Sequence, residues 1–455
     1  MTAASSAPDS LRVGVVGTGH VGLITCLSLA SVGHRLIGYD VDPSKLASLR
    51  SGRMPFHEPG GQAMLEAEIA SGRLSFTDAM GEAISSADVA FICVGTPIRA
   101  SGEANLLAVE QAARQIAKAS AGPLVIVEKS TVPPGTSTRL ERTLAEERPD
   151  LVGQLDLLSN PEFLREGRGL HDALHPDRIL VGGSSRRAFD VLRRLYQPFL
   201  DAGVPLIETD ITSAELAKHA SNAFLALKIS YVNALARVCE AAGADIEAVA
   251  RVLGGDPRIG PEFLGAGIGF GGYCLPKDLA AFAHLSERLG YRFPLLAEVA
   301  RINDEAVQTS VSKIREAVWN LEGKRIALLG LSFKPDTDDV RFSPALSLAR
   351  ALHAEGASVV GYDPVAGAPA KDEVPDLEVA DDPYEAATGA ACLVICTAWP
   401  EFRELDLDRL GTAMAFRNLV DGRNFLDGDA AAKAGFTYRA MGRPQILEDP
   451  QTSGV

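Results

Sequence analysis

Residues 12–22, Arg12-Val-Gly-Val-Val-Gly17-Thr-Gly19-His20-Val21-Gly22, are the stretch from which the architecture of this chain is read. The short apolar run at 12–16 predicts a buried strand. The glycine turn leads into LITCLSLASVG, a helical stretch that Gly33 closes. Residues 36–39 read as the next strand, and Asp40 ends it, 18 residues beyond Gly22. Strand, glycine turn, helix, strand and acid form the dinucleotide fingerprint in its full context. The first glycine serves the tight turn, the second the approach of backbone to pyrophosphate, the third the packing of helix on strand. NAD is the expected cofactor, held by Gly17, Gly19, His20, Val21, Gly22 and Asp40. The Asp40 carboxylate would accept from the ribose hydroxyls and, with Asp42 nearby, oppose the extra phosphate of NADP. Lys45, on the following helix, is the nearest cation and is counted among the cofactor-binding residues.

Outward from this unit, residues 89–94, 124–127, 155–159 and 179–181 read as further strands of a doubly wound sheet. Residues 1–205 are the expected NAD-binding domain. From about Thr212 to Ala242 apolar residues recur at helical spacing without proline or glycine. One helix of roughly thirty residues is predicted, about 45 Å long at 1.5 Å per residue. A helix of this length commonly joins domains or builds a dimer interface, so a central helical domain at 206–320 and a homodimer or larger homo-oligomer are expected. A second α/β unit begins at Lys324, with strands at 325–329, 359–362, 392–396 and 418–421 and a helix at 343–355. Its Val360-Gly-Tyr-Asp363 echoes Ile37-Gly-Tyr-Asp40. It lacks the full glycine signature, so residues 321–455 should bind something other than a dinucleotide. The fold class is α/β: two Rossmann-like doubly wound domains joined by a long central helix and a helical dimerisation region.

Composition narrows the function. A chain of 455 residues has room for about three domains. A net charge of −15 argues against nucleic acid as the main partner. No apolar run approaches the ~20 residues of a membrane span. MTAASSAPDS has neither the basic cluster nor the apolar stretch of a secretory signal, and with EDPQTSGV it reads as a disordered terminus. Six cysteines without paired short spacings suit a reducing compartment, and a cytoplasmic location is expected. Cys392 and Cys396 read as strand core. The eight histidines show no metal-ligand spacing, so no metal is expected.

Chemistry concentrates in Gly269-Phe270-Gly271-Gly272-Tyr273-Cys274-Leu275-Pro276-Lys277-Asp278. The glycines let backbone approach a ligand closely. Pro276 suits a first helical turn, placing Cys274 just before a helix N-terminus. The positive helix end, with Lys277 beside it, would favour a thiolate nucleophile. A simple two-electron hydroxyacid dehydrogenase would not need this cysteine, and a non-catalytic NAD-sensing protein would need none of this machinery.

GTGHVG, VGTP, EKSTVPPGT, NPEFLREG, ELAKHASNAF, DPRIG, GFGGYCLPKD and FKPDTDDVR follow one another in the order of the UDP-glucose/GDP-mannose dehydrogenase family, which the chain resembles over residues 11–440. The resemblance implies oxidation of a nucleotide-sugar primary alcohol to a carboxylate with two NAD+. It implies Cys274 as nucleophile, through a thiohemiacetal and then a thioester. Lys218 and Asn222, four apart on a helix, would stabilise oxygen anions. Asp278 and Thr131 would hold a catalytic water, and Glu162 would be the hydrolytic base. Glu166, Thr96 and Thr131 are assigned to the cofactor side, and Arg341 to the NAD pyrophosphate. The backbone of 163–165, with Phe163 and Leu164, would grip the sugar. Phe270, Gly271 and Lys334 are assigned to the substrate, Arg423 to its UDP end, and Arg258 to the substrate of a neighbouring subunit. DPRIG and CLPKD favour UDP-glucose; GDP-mannose and UDP-N-acetylhexosamines are the alternatives, the last being associated with GGHC where this chain has Gly271-Gly-Tyr-Cys274. Gly265 departs from relatives that place a lysine in the substrate loop.

Overall fold

The computed structural model describes residues 10–99 and 102–444; of the expected tails, 1–10 and 448–455, all but Ser10 lie outside the described residues. The chain divides into two compact units, 1–221 and 222–455.

The first unit is built on eight strands: β1 (Arg12–Val16), β2 (Arg35–Tyr39), β3 (Leu74–Thr77), β4 (Val89–Ile92), β5 (Leu124–Glu128), β6 (Leu155–Ser159), β7 (Ile179–Gly182) and β8 (Leu206–Thr209). Their order is β3-β2-β1-β4-β5-β6-β7-β8, all parallel except the antiparallel step from β6 to β7. The order reverses between β1 and β4, and the crevice outside their carboxyl ends is where such sheets bind ligands. Strand alternation supplies both faces. Val13 and Val15 join one core layer with Leu23 and Leu27 of the helix His20–Ser31, while Val16 joins Ile84, Ala112 and Ile116 on the other. Gly14 faces that second layer, where a Cβ would lie 2.6 Å from the Ala83 carbonyl oxygen. The sheet continues past the expected limit near 205, through β8. Both β3 and β8 escaped the reading of apolar runs, because each is a short edge strand carrying polar residues.

The helix Ile211–Ala242 has 32 residues, about 48 Å at 1.5 Å per residue. The division between the two units falls within it.

The second unit carries a parallel six-stranded sheet: β9 (Arg325–Leu329), β10 (Ser358–Tyr362), β11 (Glu378–Val379), β12 (Cys392–Ile395), β13 (Asn418–Asp421) and β14 (Thr437–Ala440), in the order β11-β10-β9-β12-β13-β14. Cys392 and Cys396 are fully buried in it. Val311 and Ile314 of the helix Pro294–Val318 share a core with Ile326, Leu328 and Val394.

The sequence echo between the halves is an echo of atoms. Gly17 at φ +94° donates its amide to the Tyr39 carbonyl at 2.8 Å, and Gly330 at φ +90° donates to the Tyr362 carbonyl at 2.8 Å. Asp40 accepts from the Thr18 amide, and Asp363 from the Leu331 amide. The two then diverge. After Gly17 a helix starts at His20, whereas the Ser332 hydroxyl bonds the Lys334 carbonyl and Asp363, and no helix starts until Pro344. The second turn therefore lacks the helix N-terminus on which a pyrophosphate would sit.

Candidate functional site

In the dinucleotide turn each glycine has a distinct reason to be there. A Cβ on Gly22 would lie 1.8 Å from the Gly17 carbonyl oxygen, and one on Gly17 would lie 2.6 Å from that of Cys93. A Cβ on Gly19 would meet nothing within 4 Å. Gly17 and Gly22 thus let protein pack on protein, and Gly19 leaves an open cradle before the helix whose first residues are His20 and Val21. That cradle at a helix N-terminus fits a pyrophosphate. Asp40 closes the loop: its Oδ2 accepts from the Thr18 amide and hydroxyl at 2.8 Å each and from Lys45 Nζ at 2.9 Å, and its Oδ1 from the Asp42 amide at 3.0 Å. Burial works to raise this carboxyl, but Lys45 and the amides outweigh it and hold it below the ordinary value. One lone-pair direction on Oδ1 is left for a ribose hydroxyl. Asp42 caps the helix Pro43–Arg50. Thr96 is buried and donates its hydroxyl to the Thr131 carbonyl at 3.0 Å, joining the loops after β4 and β5. His20 lies 3.7 Å from the buried Glu58, which accepts from the Gly167 and Leu170 amides and so ties the Glu166 loop to the turn.

Glu162, also in the first unit, is buried with Lys218 Nζ 3.1 Å from its Oε1. Its Oε2 accepts from the Leu164 amide at 2.5 Å. The ammonium of Lys218 stands 5.3 Å from the centre of the Phe163 ring, on which Arg178 also stacks at 3.8 Å. The backbone expected to grip a sugar is engaged here: the Leu164 amide by Glu162 and the Arg165 amide by Asp172. Sequence reading missed Lys129 and Asn160. Lys129 is buried one residue past β5, its Nζ 3.1 Å from Asn160 Oδ1 and 3.5 Å from the Asn160 carbonyl. Burial lowers its ammonium below the ordinary lysine value, although Cys93 and Glu162 act the other way. Asn160 also accepts from the Tyr196 hydroxyl at 2.6 Å and donates to the Leu180 carbonyl. The signal available in sequence was a charged pair, Glu128 and Lys129, closing the unbroken apolar run at 124–127.

In the second unit Cys274 is the first residue of the helix Cys274–Arg288, with Pro276 in its first turn. It is half-buried, while the other five cysteines are buried. The glycines of the loop face protein: a Cβ on Gly269 would meet Asn303, on Gly271 the Phe342 carbonyl oxygen at 2.3 Å, and on Gly272 the Phe333 ring at 2.7 Å. Lys277 pairs with the buried Asp278 as well as neighbouring Cys274 in sequence. Asp278 also accepts from Asn222 Nδ2 at 2.5 Å. Lys218 and Asn222 lie one turn apart on the helix Ile211–Ala242. Arg341 stacks on Tyr273 at 4.4 Å and pairs with Asp339, and its carbonyl accepts from the Gly272 amide. Lys334 sits over Phe333 at 5.7 Å. Arg423 reaches the Gly269 carbonyl at 3.0 Å, and Phe270 is clamped at both backbone groups by Asn303. Arg258 is exposed and held by Asp256. The described residues contain no cluster of three His, Cys, Asp or Glu able to hold a metal, and no helix long and apolar enough to cross a membrane.

Comparison with known proteins bears on these sites. The models of the UDP-glucose/GDP-mannose dehydrogenase family match in three parts: the NAD binding domain at residues 11–200, the central domain at 212–305 and the UDP binding domain at 327–428. The chain is 43% identical over 438 residues to a UDP-glucose 6-dehydrogenase of Rhizobium meliloti, covering 95% of this chain and 100% of that one. It is 40% identical to a UDP-glucose 6-dehydrogenase of Bacillus subtilis, covering 96% and 99%. A solved structure of a UDP-glucose dehydrogenase from Pyrobaculum islandicum superposes with a TM-score of 0.90 at 37% identity, covering 97% of this chain and 100% of that one. A UDP-D-ManNAc dehydrogenase from Pyrococcus horikoshii gives a TM-score of 0.84 at 28% identity, covering 96% and 100%. With its NAD-binding turn intact and all three parts matched, this chain belongs to the UDP-glucose/GDP-mannose dehydrogenase family and is an oxidoreductase that uses NAD.

Proposed function

We propose that the protein oxidises UDP-glucose to UDP-glucuronate in two successive steps, through a thioester on Cys274. The observation that carries this reading is the half-exposed Cys274 at the start of a fifteen-residue helix, where a thiolate is favoured and reachable. The choice of UDP-glucose is supported by the names of the relatives and by the UDP binding domain. Bound NAD+ supplies a hydride acceptor at each oxidation.

The chain's own residues do the rest. The Cys274 sulfur adds to the aldehyde carbon formed by the first oxidation and keeps that intermediate from escaping. The tetrahedral adduct loses hydride in the second oxidation, leaving a thioester. Lys218 and Asn222 provide an ammonium and an amide for the oxygen that carries negative charge in these steps. Glu162 takes a proton from the water that attacks the thioester carbon, with Asp278 and Thr131 helping to hold that water. Lys334 and Arg423 address the substrate, and Arg341 the pyrophosphate of the cofactor.

The test is NADH formed per sugar consumed across UDP-glucose, GDP-mannose and UDP-N-acetylhexosamines. Two NADH per UDP-glucose, with no free aldehyde, is expected. Cys274→Ala should lose turnover while still binding NAD+ and UDP-glucose. One NADH with an aldehyde or ketone product, or full activity in Cys274→Ala, would sink the thioester route.

A further inference from the structure

Within the first unit a cavity of about 190 Å³ lies under the loop that follows β6. Glu162 lines it, as do Lys129, Asn160, Tyr196, Thr25 and Ser28. By volume it holds several waters, since one needs only ~10–15 Å³ of such space. Lys129 carries three donors. Two contacts go to Asn160, and among the described residues no carboxylate pairs with this buried ammonium. A buried charge without an ion pair is costly unless its remaining donor finds a partner. Glu162 is the nearby carboxylate whose charge stabilises that ammonium, and it opens on the same cavity.

We infer that this cavity supplies the hydrolytic water and that Lys129 holds that water for Glu162. The inference rests on the thioester route proposed above. Lys129 donates its third N–H to the water oxygen. Glu162 takes one water proton as the new C–O bond forms. The C–S bond breaks, and the second proton goes to the departing Cys274 sulfur. The product is a carboxylate, and the proton on Glu162 leaves through the cavity waters. Asn160, fixed by Lys129, Tyr196 and the Leu180 carbonyl, positions Glu162 two residues later.

The experiment separates acylation from hydrolysis in the full-length enzyme with NAD+ and UDP-glucose, using rapid-quench NADH measurement and intact-protein mass. Lys129→Met should keep the initial NADH burst, lower steady-state turnover about tenfold or more, as expected for a lost charge-assisted hydrogen bond, and accumulate the thioester. Lys129→Arg should restore hydrolysis in part. Ser28→Leu, which fills the cavity from the helix His20–Ser31, should likewise slow hydrolysis alone, and it decides the matter if Lys129→Met does not fold. Burst and hydrolysis slowed alike, or hydrolysis unchanged in both variants, overturns the inference. A wild-type enzyme that yields one NADH and no thioester overturns it differently, by removing the route on which it rests.

Discussion

Glu128 shows at the scale of one residue how burial becomes a measurable property. It is the last residue of β5 and almost completely buried. Its Oε1 accepts from the Ser130 amide at 2.8 Å, while its Oε2 has no hydrogen-bond partner among the described residues. Burial pushes this carboxyl well above its ordinary value, against the lowering effect of Ser130, and the charge of Glu215 pushes the same way. A folded-state value above the unfolded one means that the stability it contributes is complete at pH below about 4, the unfolded carboxyl range. That contribution declines as pH rises, and is lost through the folded-state value. Glu128→Gln keeps an oxygen for Ser130 and cannot ionise. Its melting temperature relative to wild type should therefore increase as pH is raised from 5 to 9. A difference that stays constant across this range would mean that Glu128 is already charged in the folded protein.

At the scale of elements, the strand–turn–helix units separate what sequence discloses from what it conceals. The glycine signature was legible because its three roles sit within six residues and belong to one local geometry. Those roles predict opposite outcomes for two small substitutions. Gly22→Ala drives a Cβ into the Gly17 carbonyl oxygen, a backbone atom that cannot step aside, so the melting temperature should fall markedly. Gly19→Ala places its methyl in open space and, with an extended backbone, should change stability by less than ~1 kcal/mol. It should nevertheless weaken NAD+ binding by about tenfold, or ~1.4 kcal/mol, because the methyl fills the cradle. Calorimetry of folding and of NAD+ binding on both variants checks this; equal affinity for wild type and Gly19→Ala would move the pyrophosphate elsewhere. That the glycines at 269–272 also pack against protein was hidden for a complementary reason. Their neighbours, Asn303, Phe333 and Phe342, lie 34 to 71 residues away in sequence, so no local pattern shows that the space is already filled by protein. Buried strands such as β4, β5 and β12 were visible as apolar runs, whereas β3, β8, β11 and β14 are edge strands with polar residues. Lys129 was missed because a lysine in a sequence reads as solvated, and only tertiary packing buries it.

At the scale of the whole molecule, the long helix carries a feature that a single chain does not use. Phe224, Tyr231 and Val238 recur every seven residues, which keeps them on one face with only ~20° of drift per step. They are 61%, 54% and 61% exposed, whereas Ala226, Ser230, Asn233 and Ala236 of the same helix are buried. Large apolar side chains in register along one face mark an interaction surface rather than scattered exposure. We propose that this face meets the same face of a second copy, as the length of the helix had suggested. Burying what remains exposed of the three side chains would contribute roughly 1–2 kcal/mol each per copy, enough that charges placed there should prevent association. Tyr231→Glu combined with Val238→Glu, both solvent-facing in the single chain, should fold normally and sediment as a monomer while wild type sediments as a dimer or larger. The proposed assembly would also bear on catalysis. Arg258 is exposed, with its guanidinium held by Asp256, and we propose, on the family resemblance, that it reaches the substrate of a neighbouring copy. The monomeric variant should therefore show a raised KM for UDP-glucose, and Arg258→Ala should reproduce that rise without changing the oligomer. A wild-type monomer in solution would refute the proposed face, and a dissociated variant with an unchanged KM would show that Arg258 does not reach across.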